Sequence, residues 1–170
     1  MLTLKLFFIT FSIVVLSACQ TTETLTDATE KVAYEEFVVS GEKLPLDQIT
    51  DVNGITVDLG NPDKRKLVVL FATWCSDSNR ALKALNQSEI LKDDTIEVIA
   101  IAREESIETV KAWRDEHGIN VPLAADPDRS VYKKFAAAGI PRLITVAKNN
   151  QIIKMNLAEG ENQLELIDWY

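Results

Sequence analysis

From position 66 to 72 the chain reads Lys-Leu-Val-Val-Leu-Phe-Ala, apolar without alternation, which predicts a central strand buried on both faces. Upstream, residues 36–39 and 55–59 carry strand-like patterns, the second following the turn signal Asn53-Gly54. After the central strand the spacing becomes helical, with Ala81, Leu82, Leu85, Ile90 and Leu91 forming one apolar stripe. Residues 95–102 are a β-branched run, and Ser106 is placed to cap a helix that turns Ile107, Val110 and Trp113 inward and stops at Gly118. Residues 121–125 predict a short strand. Asp126-Pro127 then predicts an N-cap with proline in the first helical position, opening a helix with Val131, Tyr132 and Phe135 inward. Residues 142–147 and 151–157 read as strands joined by a turn at Asn149-Asn150, and residues 163–169 as a closing helix. The element order is β-β-β-α-β-α-β-α-β-β-α. Helices between strands require crossovers, so the expected fold is α/β: a central mixed sheet flanked by helices on both faces, with an antiparallel edge from the last hairpin.

The first 18 residues follow a different pattern. Lys5 precedes an apolar run from Leu6 to Leu16, short of the roughly 20 residues that span a bilayer and ending in small residues, which predicts an export signal. Leu16-Ser17-Ala18-Cys19 resembles the bacterial lipobox, in which the cysteine becomes the first mature residue and carries the lipid. Cys19 is therefore the expected lipid attachment site, and acyl chains contribute about 0.8 kcal/mol per buried methylene to membrane binding. Gln20 stands where Asp would resemble an inner-membrane retention signal, which leans towards the outer membrane of a two-membrane cell. The expected location is the bacterial cell envelope, with the domain facing the periplasm or exterior. Residues 20–33, rich in Thr and Glu, read as a solvated tether; about 15 flexible residues span on the order of 20 Å root-mean-square. The division is signal 1–18, lipid attachment and tether 19–33, and one domain at 34–170.

Charge narrows the partners. The formal net charge is −8, and loss of Lys5 with the signal makes the mature chain more acidic still. Acidity of this size opposes phosphate backbones and anionic headgroups, so nucleic acid is not an expected partner. The chain has two cysteines; lipidation of Cys19 leaves Cys75 as the only free thiol and no structural disulfide.

That thiol carries the candidate chemistry. Trp74-Cys75-Ser76-Asp77-Ser78 follows the central strand and opens the helical stretch, so Cys75 meets unpaired N–H groups and the positive end of the helix dipole, both of which favour thiolate. Cys75 is the expected nucleophile. Ser78 cannot form a disulfide, so another molecule must complete any redox cycle that Cys75 begins. The Ser78 hydroxyl is expected to hydrogen-bond the thiolate, the alternative being a neutral filler; Asp77 opposes thiolate by its charge but suits the first turn of a helix. His117, the only histidine, is placed as a dipole partner at a helix end. No metal-ligand cluster, phosphate-cradling glycine loop or Ser-His-Asp set is visible, and neither a metal nor a cofactor is expected.

Three motifs in order carry a resemblance: the strand-to-helix junction ending Thr73-Trp74-Cys75, Asp126-Pro127-Asp128, and Gly139-Ile140-Pro141 ahead of a strand. Together they resemble the thioredoxin-fold, exported, membrane-tethered thiol-disulfide oxidoreductases of the redoxin and cytochrome-maturation type, in which the unit at about 95–118 is an inserted strand and helix. The resemblance implies that Pro141 is cis, that Ile140 offers backbone groups to an extended peptide beside the thiol, and that Trp74 shields the sulfur within a docking surface, leaving Trp113 and Trp169 as packing residues. It implies as partners exported proteins with thiols or disulfides and an external thiol reductant.

The chain departs from that family in three places. Ser78 replaces the second cysteine. Val69 and Ala81 stand where relatives hold a proton-moving carboxylate. Arg142 replaces a small hydroxyl residue after the proline, and reads either as a cation near Cys75 able to meet a partner's carboxylate or as a surface residue at a strand start. A peroxidatic cysteine resembling those of peroxiredoxins would have Thr and Pro where this chain has Ala72 and Val68. The leading function is a monothiol oxidoreductase or isomerase working through mixed disulfides; the alternatives are a lipid-anchored binding module with little turnover, and a sulfenate sensor.

Overall fold

The computed structural model describes residues 34–170; the expected signal, the tether and Cys19 lie outside them. The strands are β1 Gln48–Thr50, β2 Thr56–Asp58, β3 Arg65–Phe71, β4 Ile96–Arg103, β5 Leu123–Asp126, β6 Arg142–Val146 and β7 Ile152–Leu157, and the α-helices are α1 Ser76–Gln87 and α2 Ile107–His117. Five strands form the central sheet in the order β5-β4-β3-β6-β7, parallel across β5, β4 and β3 and antiparallel across β3, β6 and β7. This is the mixed sheet that the crossovers and the last hairpin require.

The period of two along β3 separates two cores. Leu67, Val69 and Phe71 pack with Leu82 and Leu85 of α1 and Val110 and Trp113 of α2. Val68 and Leu70 face the other way, against Tyr132, Phe135, Leu44, Val57 and Leu59. Because β3 is buried on both faces, the loop that follows it must leave from the middle of the sheet's end, with protein on either side. Ser106 caps α2 by accepting a bond from the Thr109 N–H, and Gly118 ends it in the left-handed region at φ 62°.

Local departures have local causes. Residues 36–39 make only an isolated bridge, Glu36 to Ala136, and the first strand is instead β1, paired with β2 across the turn closed by Asp51. Asp126 does not cap a helix opening at Pro127. Its carboxylate accepts from the N–H groups of Val131 and Tyr132, and Arg129 adopts φ 60°, so the chain makes only a 3-10 turn at Tyr132–Lys134. Helix α1 stops at Gln87 because Ser88 bonds back to the Leu85 carbonyl through both N–H and hydroxyl; Ile90 and Leu91 sit on the following 3-10 turn. The closing helix is a 3-10 turn at Gln163–Leu166, after which the chain extends and Trp169 lies under the Arg65 guanidinium, 4.7 Å from its ring centre. Ile107, expected inward, is exposed.

One buried residue of β3 breaks its apolar character. Lys66 is wholly buried, and among the described residues its Nζ hydrogen-bonds only the Lys148 carbonyl, at 3.4 Å. Desolvation holds its pKa below the ordinary lysine value of 10.5, with Asp58 acting weakly in the other direction. The folded chain therefore gives up this proton more readily than the unfolded one. The resulting penalty is complete below the lowered pKa and is relieved as the pH rises towards 10.5. Lys66→Met is expected to raise the urea midpoint at neutral pH, by a margin that shrinks in alkaline solution; a margin independent of pH, or a loss, contradicts this account.

Candidate active site around Cys75

Cys75 is the N-cap of α1, with extended backbone at φ −88° and ψ 121°, and its side chain makes no capping bond. The sulfur is thus left free while the helix begins, with the Cys75 carbonyl accepting from the Asn79 N–H at 3.0 Å. Its side chain is partly buried against the core that contains Ile140 and Tyr132. Sγ lies 3.9 Å from the Ile140 carbonyl oxygen, a long contact even for sulfur, and the Ile140–Pro141 peptide is cis. Two loops distant in sequence therefore meet at one sulfur. Trp74 is 68% exposed, so it stands out beside the sulfur instead of sealing it.

In the loop before Cys75 the peptide groups of Ala72 and Thr73 are paired, while those of Trp74, an exposed residue, have no partner among the described residues. Ala72 N–H donates to Ser78 Oγ at 3.3 Å, and Cys75 N–H donates to the Ala72 carbonyl at 3.2 Å. Thr73 gives both its N–H (2.9 Å) and its hydroxyl to the carboxylate of Glu105. Asn79 Nδ2 spans the carbonyls of Thr73 (2.8 Å) and Cys75 (2.9 Å), and the Trp113 indole N–H donates to Asn79 Oδ1 at 2.7 Å. Asn79 and Glu105 were not singled out from the sequence. Asn79 carried a faint signal, standing four residues after Cys75 on the helix. Glu105 carried none, because its direction depends on Glu104, a non-glycine residue held at φ 61°. The Arg103 guanidinium bonds the Glu104 carboxylate and holds it below the usual carboxylate range.

Three expectations change. Ser78 is fully buried and its hydroxyl serves the Ala72 N–H; no hydrogen bond joins it to Cys75 among the described residues. Asp77 is engaged by Arg80, which also reaches the Gly160 carbonyl and Glu161, so its charge is compensated locally. Arg142 is neither a surface residue nor a docking cation. It is 1% exposed, paired with Glu36 and bonded to the carbonyls of Ala138 and Gly139. His117 bonds the Trp113 carbonyl and stacks on its ring, a packing role at the end of α2. Among the described residues no group of three or more His, Cys, Asp and Glu side chains is arranged to hold a metal ion.

Comparison with known proteins agrees with this geometry. The Redoxin family model matches residues 39–166, most of the chain. The chain belongs to the Redoxin family. This redoxin is 23% identical over 125 residues to the thiol-disulfide oxidoreductase ResA of Bacillus subtilis, covering 72% of the chain and 70% of ResA. It is 29% identical over 102 residues to a putative peroxiredoxin of Mycobacterium tuberculosis, covering 58% of the chain and 64% of that protein. Among solved structures, a putative protein disulfide isomerase from Bacteroides thetaiotaomicron superposes with a TM-score of 0.71 at 26% identity, covering 79% of this chain and 88% of that one. A putative DsbE from Chlorobium tepidum gives 0.60 at 17%, covering 71% and 86%, and so shares the thioredoxin fold.

The clamp around the redoxin's Thr73–Cys75 loop is open to test by stability. Asn79→Ala strands the Thr73 carbonyl and the Trp113 indole N–H together, and an unmet buried polar group costs about 1–3 kcal/mol. A loss of that size in urea denaturation is expected; a loss below about half a kcal/mol would mean that water replaces these bonds.

Proposed function

We propose that this redoxin is an envelope-anchored monothiol thiol-disulfide oxidoreductase of the mixed-disulfide, isomerase type. The observation that carries the reading is the position of Cys75 Sγ: at the N-terminus of α1, free of capping duty, and 3.9 Å from the Ile140 carbonyl, with a buried serine where a resolving thiol would stand. The N–H groups of the first helical turn and the helix dipole favour negative charge on that sulfur.

The cycle uses two exchanges. Cys75 thiolate attacks one sulfur of a substrate disulfide; the Cys75–substrate S–S bond forms, the substrate S–S bond breaks, and the leaving sulfur departs as a thiolate that takes a proton from water. Ile140 presents its backbone to the extended segment carrying that disulfide, and Trp74 lies against its flank. A second thiolate, from the same substrate or from an external thiol, then attacks the substrate sulfur and returns the electron pair to Cys75. When the substrate supplies that thiol, the disulfide is moved and no net electrons are consumed. Ser78 cannot compete, so the mixed disulfide persists until an outside thiol arrives.

Cys19 supplies the lipid anchor in this reading, and the acidic tether holds the domain off the membrane. No helix among the described residues is long and apolar enough to cross a membrane. The exposure of Trp74 would equally serve a binding module; turnover separates the two.

The purified full chain is expected to restore activity to a scrambled disulfide protein in the presence of a small thiol, and Cys75→Ala to abolish that gain. Equal recovery by both proteins would leave the binding module. A second variant tests the assignment of position 78: Ser78→Cys is expected to form a Cys75 disulfide on oxidation, seen as a mass lower by two hydrogens, and to shorten the life of the mixed disulfide. An intact pair of thiols after oxidation would place the side chain of residue 78 out of reach of the sulfur.

A further inference from the structure

The loop that faces Cys75 from the other side is held by an unusual set of donors. Its carbonyls are taken in succession: Ala137 by the Arg129 guanidinium at 2.8 Å, Ala138 by Arg142 Nη2 at 2.7 Å, and Gly139 by both Arg142 Nε at 3.1 Å and the Tyr132 hydroxyl at 2.7 Å. The Ile140 carbonyl meets only the Cys75 sulfur, and its N–H has no partner among the described residues. Ile140 is therefore the point where this loop stops being satisfied from inside the fold.

Arg142 supplies two of those bonds, and it is itself set by Glu36. The segment bearing Glu36 runs along the same loop. Ala137 N–H donates to the Glu35 carbonyl, Phe37 N–H to the Phe135 carbonyl, and the Tyr34 ring lies so close to Gly139 that a Cβ there would stand 2.6 Å from it. A buried guanidinium is costly, and an apolar side chain of similar length packs at lower cost. Its donors are spent here on two consecutive carbonyls, those of Ala138 and Gly139.

We propose that Arg142, set by Glu36, is a positioning residue for the peptide-docking edge, holding the Ala138 and Gly139 carbonyls inward so that Ile140 faces Cys75. The segment at 34–37 is thereby a working part of the site. This rests on the reading that a disulfide-bearing peptide docks at Ile140, and it names what keeps that edge in register.

The test compares two electrophiles on the same full-length protein. A disulfide-bearing peptide needs the Ile140 edge; a small aryl disulfide needs only the sulfur. Glu36→Gln and Arg142→Met are each expected to slow mixed-disulfide formation with the peptide by about tenfold, with the aryl disulfide changed less than about twofold, since a small misplacement of a docking group is costly only to a ligand that uses it. The double variant is expected to be no slower than Arg142→Met, because the pair acts as one unit. Should Arg142→Met fail to fold, Glu36→Gln decides alone. Equal slowing of both electrophiles, or no slowing of the peptide, overturns the inference. Wild-type protein that reacts with the aryl disulfide and not with the peptide overturns the docking reading, and the inference with it.

Discussion

The peptide groups of Ala72, Thr73 and Cys75 are satisfied inside the fold at the end of a strand that is buried on both faces, and this requirement organises the site. Ala72 is buried and Thr73 and Cys75 are half-buried, and a buried amide or carbonyl left alone is expensive. The solution draws side chains from two directions: Ser78 and Asn79 from α1 and Glu105 from the turn before α2, with Trp113 of α2 bonded to Asn79. These bonds fix the backbone on either side of Trp74 and so set the Cα of Cys75 at the start of α1. Ser78 illustrates the consequence. Its hydroxyl is committed to the backbone, so the residue is structural as well as chemically silent.

The opposing loop is built on the same logic with stronger donors. Arg129, Arg142 and Tyr132 hold three consecutive carbonyls, and Arg103 and Arg129 also lie over the Tyr132 ring at 4.7 and 5.2 Å. Charge-assisted bonds of this kind carry more geometric information than neutral ones. The two loops thus reach the sulfur as separately braced bodies, and the polar contact between them at the sulfur is a weak one, Sγ to the Ile140 carbonyl. A weak contact at that point suits a nucleophile that must exchange partners, since little has to be broken when a substrate enters.

Polar side chains that the sequence offered as chemistry are mostly spent on structure. Asp126, expected to open a helix, gathers the N–H groups of a tighter turn and so orients Tyr132, whose hydroxyl reaches the Gly139 carbonyl. Arg142 bridges the first described residues and the proline-led loop. Such assignments follow from which groups become neighbours in space, and pattern along the chain does not contain that information.

Much of the architecture was nevertheless legible in advance. The apolar run of Leu67 to Phe71 in β3, the strand-helix-strand-helix order from β3 to α2, the Ser106 and Gly118 boundaries, and the place of Cys75 between β3 and α1 follow from local rules about periodicity and capping. Those rules act within a few residues and so can be read from order alone. What the tertiary structure decided is where each polar side chain spends its bonds: Ser78 on Ala72, Glu105 on Thr73, Arg142 on Glu36 and two carbonyls. Glu36 and Arg142 are 106 residues apart in the chain. Partners so remote are brought together only by the packing of the sheet, and it is the burial of Arg142, by denying its guanidinium water, that makes a partner necessary.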